Sequence, residues 1–215
     1  MKNTKILILG YSSFVKRRII PSLKKNKKIK YCICSRSNKI NKKKKILFNN
    51  YNIGLKEFKP NIVYISKINS LHYKFAKMTL KNGFNTIVDK PVTLNFRQTK
   101  ELLKIAKIKK LFFAEATLFN YHRVFKSIKK LCGGINQVEH IQSNFNIPFY
   151  KSPNELKNKK NDCEADMSPY AASIIRLFLK EKIINGDIVK YYEVVLKVGV
   201  NKISHGLTGS QRRIL

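Results

Sequence analysis

The sequence predicts an α/β fold, a doubly wound parallel sheet over the first half followed by an incomplete α+β unit with an open, largely antiparallel sheet. Three observations predict it. Short runs rich in strand formers, Lys5–Leu9, Lys30–Cys34, Asn61–Ile65, Asn85–Val88 and Leu111–Ala114, recur through the first half. Segments with helical spacing alternate with them, the pattern of strands joined by crossover helices. After about Leu118 the pattern changes, and 135–149 is an extended run too long for another strand of the first sheet, so a second unit is expected over 119–215.

Lys5–Leu9 is followed at once by Gly10 and by Phe14, Ile19, Ile20 and Leu23 at helical spacing, a strand, turn and helix in succession. A dinucleotide-binding turn of this kind needs glycine to bend sharply and approach a pyrophosphate, which rests on the helix N-terminus. Gly10 fills the first glycine position, but Ser12 stands at the second and Val15 at the third. Alone, the motif fits a ligand-free turn as well as a binding one. Ser12 and Ser13 offer hydroxyls or amides to a phosphate, with Phe14 beside them. After the second strand come Ser35, Arg36 and Ser37. An acid there binds a ribose 2′-hydroxyl, whereas arginine with small hydroxyl residues accommodates a 2′-phosphate, so NADP is expected over NAD. The plain alternative is one more exposed cation in a basic chain.

Residues 38–45 read as a surface loop or short helix, Ile46–Phe48 as a third, edge strand, and Phe58-Lys59-Pro60 as a break. Asn61–Ile65 is a buried strand with Ser66–Ser70 looping from its carboxyl end. His72–Leu80 is a helix buried through Phe75, Ala76, Thr79 and Leu80, closed by Asn82-Gly83. Asn85–Val88 then runs into Asp89-Lys90-Pro91. Pro91 fixes its own φ and holds Lys90 extended, so the Lys90 ammonium projects from a stiff turn at a strand's carboxyl end, where open α/β sheets bind ligands. A lysine there can donate a proton; the rival is an ordinary polar turn. Asn95 caps a helix to about Lys109, with Leu102, Leu103, Ile105 and Ala106 buried. In the second half, Tyr121–Leu131 reads as a helix, Met167–Leu179 as another, and Ile188–Val198 as a strand. Leu207–Leu215 differs in composition and reads as a frameshift or an incomplete reading.

The chain has 215 residues, 43% of them hydrophobic, enough for a real core. It shows no apolar run of membrane-span length and no signal-peptide segment, so a cytoplasmic protein without membrane partners is expected. Cys32, Cys34, Cys132 and Cys163 lack C-x-x-C spacing and the four histidines are isolated, so no metal site is expected. Lysine and arginine number 45 against 12 acids, a formal charge of +33. Such an excess favours anionic partners, but the lysines are spread along the chain with abundant Asn and Ile, as A/T-rich coding produces. No nucleic-acid module accompanies them, which argues against nucleic acid as partner. Among so few acids, Asp89, Glu115 and Asp166 carry more information.

Four segments in order resemble the Gfo/Idh/MocA family of nicotinamide-dependent oxidoreductases, which act mostly on sugars, polyols and related cyclic compounds. They are KILILGYSSFVKRRIIPSL at 5–23, NIVYISKINSLHYKFAKMTLKNGFNTIVDKPVTL at 61–94, AEATLFNYH at 114–122 and EADMSPYAASIIRLFL at 164–179. The second is the most specific, with Asn69, His72, Gly83, Lys90 and Pro91 at family-like spacing. The resemblance implies a Rossmann domain over 1–118 and a domain for substrate and homo-oligomer contacts over 119–215. It implies a cofactor set of Gly10, Ser12, Ser13, Phe14, Ser35, Arg36, Ser66, Asn69, His72, Asp89 and Lys90. Catalysis falls to Lys90, binding and polarising the reacting oxygen of a sugar-like hydroxyl or ketone, to Tyr170 as acid/base, and to Asp166, orienting substrate or tuning Lys90. Glu115 and His122 are further candidates. The departures are Asp89 for the usual Glu, Ser12 for a glycine, Asn120 where relatives often have Arg, and Ser168-Pro169 inside the Asp166–Tyr170 motif. Relatives continue the second sheet beyond the end of this chain, so the alternative is a truncated, catalytically silent nucleotide binder.

Overall fold

The computed structural model of the chain describes residues 3–35, 46–131, 143–148, 169–170, 173 and 196–201. The chain divides into two compact units, Met1–Ala116 and Thr117–Leu215. In the first, six strands form one parallel sheet: β1 Thr4–Leu9, β2 Ile29–Cys34, β3 Ile46–Phe48, β4 Ile62–Ile65, β5 Asn85–Asp89 and β6 Phe113–Ala116. Their order is β3-β2-β1-β4-β5-β6. Sequence order reverses between β1 and β4, which opens a crevice at their carboxyl ends.

Side chains alternate across the sheet, and both faces are covered. Leu7, Leu9, Cys32, Cys34, Val63, Ile65 and Val88 face a layer built from α2 Tyr51–Phe58, α3 Asn69–Lys81 and α4 Phe96–Ile108. Ile8, Ile33 and Tyr64 face the other way, onto Val15, Ile19, Ile20 and Leu23. Those four lie on a widened π-helical turn, Val15–Ile19, running into α1 Ile20–Lys24. Pro21 explains the widening, because it lacks an N–H and its ring crowds the preceding turn. The Ile20 N–H reaches back to the Val15 carbonyl, and the Ser22 hydroxyl donates to Arg18 O at 2.8 Å.

Helix α2 is absent from the sequence reading. It starts because the Asn50 side chain accepts from the Asn52 and Ile53 N–H groups at 2.9 and 3.3 Å, and it ends at Lys59, which turns left-handed at φ 47°. β6 begins two residues later than expected, since the Leu111 N–H is taken by Ala106 O at 2.9 Å in closing α4. Leu103, expected in the core, is 53% exposed, one step round the helix from buried Leu102.

In the second unit, a 3₁₀ turn Leu118–Tyr121 precedes α5 Arg123–Leu131. The expected helix from Tyr121 therefore starts at Arg123, where His122 Nδ1 accepts from the Val124 N–H at 3.3 Å. β7 Ser143–Pro148 pairs with β8 Leu196–Asn201 in parallel, Ser143 opposite Leu196 through Pro148 opposite Asn201. The sequence predicts a largely antiparallel sheet for the unit; the strand pair among the described residues is parallel. Parallel neighbours need a crossover of a dozen residues or more, and the long segment between β7 and β8 has room for one. Of the expected helix Met167–Leu179, residues 169–170 and 173 are described and are helical, while 188–195 of the expected strand lie outside the described residues. No described helix is long and apolar enough to cross a membrane.

Asn50→Ala removes both cap bonds of α2 and is expected to cost about 1 kcal/mol, read as a lowered urea midpoint with an unchanged slope.

Candidate functional site

Ser66, directly after β4, is the junction of the carboxyl edge. Its N–H donates to Leu9 O at 3.0 Å. Its carbonyl lies so close to Gly10 that a Cβ there would sit 2.0 Å from the oxygen. Gly10 also has φ +114°, a backbone that side chains rarely adopt. Both facts demand glycine at the first turn position.

The second position works differently. Ser12 Oγ accepts from the Val15 N–H at 3.1 Å, and its carbonyl accepts from the Lys16 N–H at 3.1 Å, so Ser12 caps the helix that follows. The same hydroxyl lies 2.8 Å from Ser66 Oγ, and Ser66 in turn hydrogen-bonds the Asp89 carboxyl. An ionised carboxylate only accepts. With Asp89 ionised, the protons order in one direction: Val15 N–H to Ser12, Ser12 to Ser66, Ser66 to Asp89. Tyr64 also donates to Asp89 Oδ1. Burial pushes the Asp89 carboxyl up, opposed by the Ser66 and Tyr64 hydrogen bonds and by the charges of His72 and Lys90. Burial, and then the neighbouring Asp89, push the Tyr64 phenol up as well.

Lys90 stands half-buried at the end of β5, and its bond to Pro91 is cis. Two side chains hold this turn. His72 Nδ1 lies 2.6 Å from Pro91 O, and Glu115 Oε2 on β6 accepts from the Val92 N–H at 2.8 Å. The other His72 nitrogen lies 2.9 Å from Lys67 O. His72 thus ties the loop after β4 to the turn after β5.

Gly10, Ser12, Ser35, Ser66, Asp89 and Lys90 are brought to the carboxyl ends of β1, β2, β4 and β5, with Asn69 opening α3 and Ser13 and Phe14 exposed on the first turn. His72 lies beneath this edge. It is fully buried, with both ring nitrogens against the backbone carbonyls of Pro91 and Lys67, where it braces the Lys90 turn. Arg36 and Asp166 lie outside the described residues. Tyr170 is half-buried in helical backbone of the second unit, and His122 serves as the start of α5. The sequence reading did not single out Tyr64 or Lys67. Tyr64 had a signal, since it sits two residues before Ser66 and so shares its face of the sheet.

No group of three or more potential metal ligands occurs among the described residues. The strand order, the glycine turn and the crevice define a nucleotide-binding Rossmann domain. Its turn could offer the Gly10 backbone and exposed Ser13 to a phosphate.

Residues 4–117 match the Gfo/Idh/MocA oxidoreductase family, NAD-binding Rossmann fold. That is more than half of the chain, and the chain belongs to this family. It is 28% identical over 101 residues to trans-1,2-dihydrobenzene-1,2-diol dehydrogenase of Xenopus tropicalis, covering 46% of this chain and 31% of that enzyme. It is 29% identical over 100 residues to dTDP-3,4-didehydro-2,6-dideoxy-alpha-D-glucose 3-reductase of Streptomyces violaceoruber, covering 46% and 29%. Against the NADP(+) D-xylose 1-dehydrogenase of Hypocrea jecorina it is 34% identical over 74 residues, covering 34% and 19%. The matches thus span less than a third of these relatives. KijD10, a 3-ketoreductase from Actinomadura kijaniata solved with TDP-benzene and NADP, shares the fold at a TM-score of 0.70 and 20% identity, over 83% of this chain and 57% of that one.

Gly10→Ala is expected to lose about 2 kcal/mol or more in urea unfolding, because Ser66 and β4 must move. Asp89 gives a prediction in pH. A carboxyl raised on folding holds its proton longer in the folded chain, so stability falls as pH rises from the ordinary carboxylate range through the raised value. Asp89→Asn has no proton to lose there. Relative to wild type, it is expected to gain stability as pH rises from the ordinary carboxylate range through the raised value; a difference that stays flat across that range contradicts the burial of Asp89.

Proposed function

We propose that this chain is an NADP-dependent oxidoreductase that moves a hydride between nicotinamide and a hydroxyl-bearing or ketone carbon of a sugar derivative. The observation that carries this reading is the Lys90 turn, anchored by His72 and Glu115 at the carboxyl edge of the sheet that holds the Gly10 crevice. The choice of NADP over NAD rests on Ser35-Arg36-Ser37 in the sequence, and the sugar class on the sugar dehydrogenases and reductases among the relatives.

The cofactor, when bound, supplies the hydride chemistry. The protein supplies position and proton transfer. Lys90 binds the reacting oxygen and draws electron density from it, easing proton transfer at that oxygen. A lysine suits this task because its three donors and flexible stem follow an oxygen whose charge changes during the reaction. Asp89 stays turned inward, holding Ser66 and Tyr64 and opposing the Lys90 charge. By the family pattern, Tyr170 serves as acid/base and Asp166 as the residue that orients substrate. Residues 1–118 bind cofactor, and 119–215 bind substrate and a second copy of the chain.

Fluorescence titration with NADPH and NADH, followed by turnover of a panel of nucleotide sugars and ketoses, tests the proposal. NADPH is expected to bind more tightly. Lys90→Met is expected to lower kcat by about a hundredfold or more while NADPH affinity changes less than about threefold. NADPH binding without turnover of any substrate would favour a silent nucleotide binder, and no binding of either dinucleotide would contradict the reading.

A further inference from the structure

Lys67, the second residue beyond β4, holds His72 through its backbone carbonyl, while its side chain has a separate set of contacts. Its side chain turns toward the face that carries α2 and α3. The stem crosses Gly10, with Cδ lying 3.4 Å from where a Cβ on that glycine would be. The ammonium donates to the Tyr51 hydroxyl, and it lies 4.7 Å from the centre of the Tyr51 ring and 5.5 Å from that of Phe75. Those two rings meet edge to face at 4.9 Å. Aromatic faces attract a cation and restrict where it can go. Lys67 is therefore a partly buried charge held in place.

Its location along the crevice follows from Tyr51. That residue opens α2 directly after its cap, Asn50, whose carbonyl accepts from the Cys34 thiol at 3.3 Å. Cys34 ends β2. Burial pushes its thiol up to about 12, with the Lys67 charge acting in the opposite direction. The ammonium thus sits on the β2 side of Gly10. In a fold of this class, the adenosine ribose lies beyond the end of β2 and the pyrophosphate beside the first glycine. One donor of the ammonium is given to Tyr51, which leaves two. Among the described residues no carboxylate pairs with Lys67.

A positioned cation with donors to give, no acid beside it and a place next to the adenosine ribose calls for an anion. We infer that Lys67 binds the 2′-phosphate of NADP and sets the preference for it over NAD, with Tyr51 positioning the ammonium. The inference rests on the dinucleotide reading given under Proposed function. NAD carries a hydroxyl where NADP carries that phosphate, so the charge of Lys67 distinguishes the two and its absence does not.

Isothermal titration of the full-length chain with NADPH and with NADH tests the inference. Lys67→Met keeps an apolar stem over Gly10 and between the rings while removing the charge. The NADPH dissociation constant is expected to rise about tenfold or more, as losing a charge-assisted hydrogen bond implies, with NADH changing less than about twofold. Tyr51→Phe keeps the ring and removes the hydroxyl; it is expected to weaken NADPH by about threefold and leave NADH unchanged. It decides the question if Lys67→Met fails to fold. Equal weakening of both dinucleotides, or NADPH binding that neither variant changes, overturns the role of Lys67 while leaving the oxidoreductase reading intact. A wild-type chain that binds neither dinucleotide overturns both.

Discussion

The meeting of Ser66 with Gly10 is the constraint on which the carboxyl edge depends. β1 and β4 are neighbours only in space, and where they end the backbone of one presses against the backbone of the other without room for a methyl group. Ser66 then acts through three of its groups. Its N–H continues the pairing with β1, its carbonyl closes on the glycine, and its hydroxyl lies between Ser12 and Asp89. Changing the glycine moves β4, and moving β4 disturbs both the cap of the first helix and the residue that precedes Lys90. The crevice is thus one connected object even though its parts come from three strands.

That connection gives a physical account of the two departures from the family pattern in this region. A serine at the second glycine position would be an obstacle if its side chain faced the crevice, but here the hydroxyl is turned into the helix and satisfies an amide that would otherwise lack a partner. The shorter acid at Asp89 fits the same arrangement. It reaches Ser66 and Tyr64 within the edge of the sheet, and Lys90 is left as the side chain at the end of β5. Support for the Lys90 turn comes from elsewhere, through His72 below it and Glu115 from the next strand.

Much of this was legible in the sequence. The strand, turn and helix around Gly10, the strand running into Asp89-Lys90-Pro91 and the Asn95 cap all rest on local chemistry that a linear reading can see, and Asn95 does accept from the Gln98 N–H at 3.0 Å. Helix α2 escaped because it is short, carries Gly54 and follows an asparagine-rich stretch that resembles a loop; its apolar residues Tyr51, Leu55 and Phe58 were the available signal. Glu115 could be noticed as a scarce acid, but its bond to the Val92 N–H depends on strand register, with Val88 opposite it on β5. Lys67 was hidden for the opposite reason, as one cation among 45. Only the rings around it set it apart. The parallel pairing of β7 with β8 depends on a distant partner strand, and alternation of residue type along one strand does not encode direction.

The proposed function requires a nicotinamide dinucleotide lying across the crevice with its reactive ring beside Lys90. A crystal structure of the chain with NADPH bound would show this. The pyrophosphate is expected against the backbone of Gly10 through Ser13, with the Lys90 ammonium directed at the nicotinamide end. A dinucleotide bound elsewhere, or a Lys90 ammonium turned away from the crevice with the cofactor in place, would contradict it.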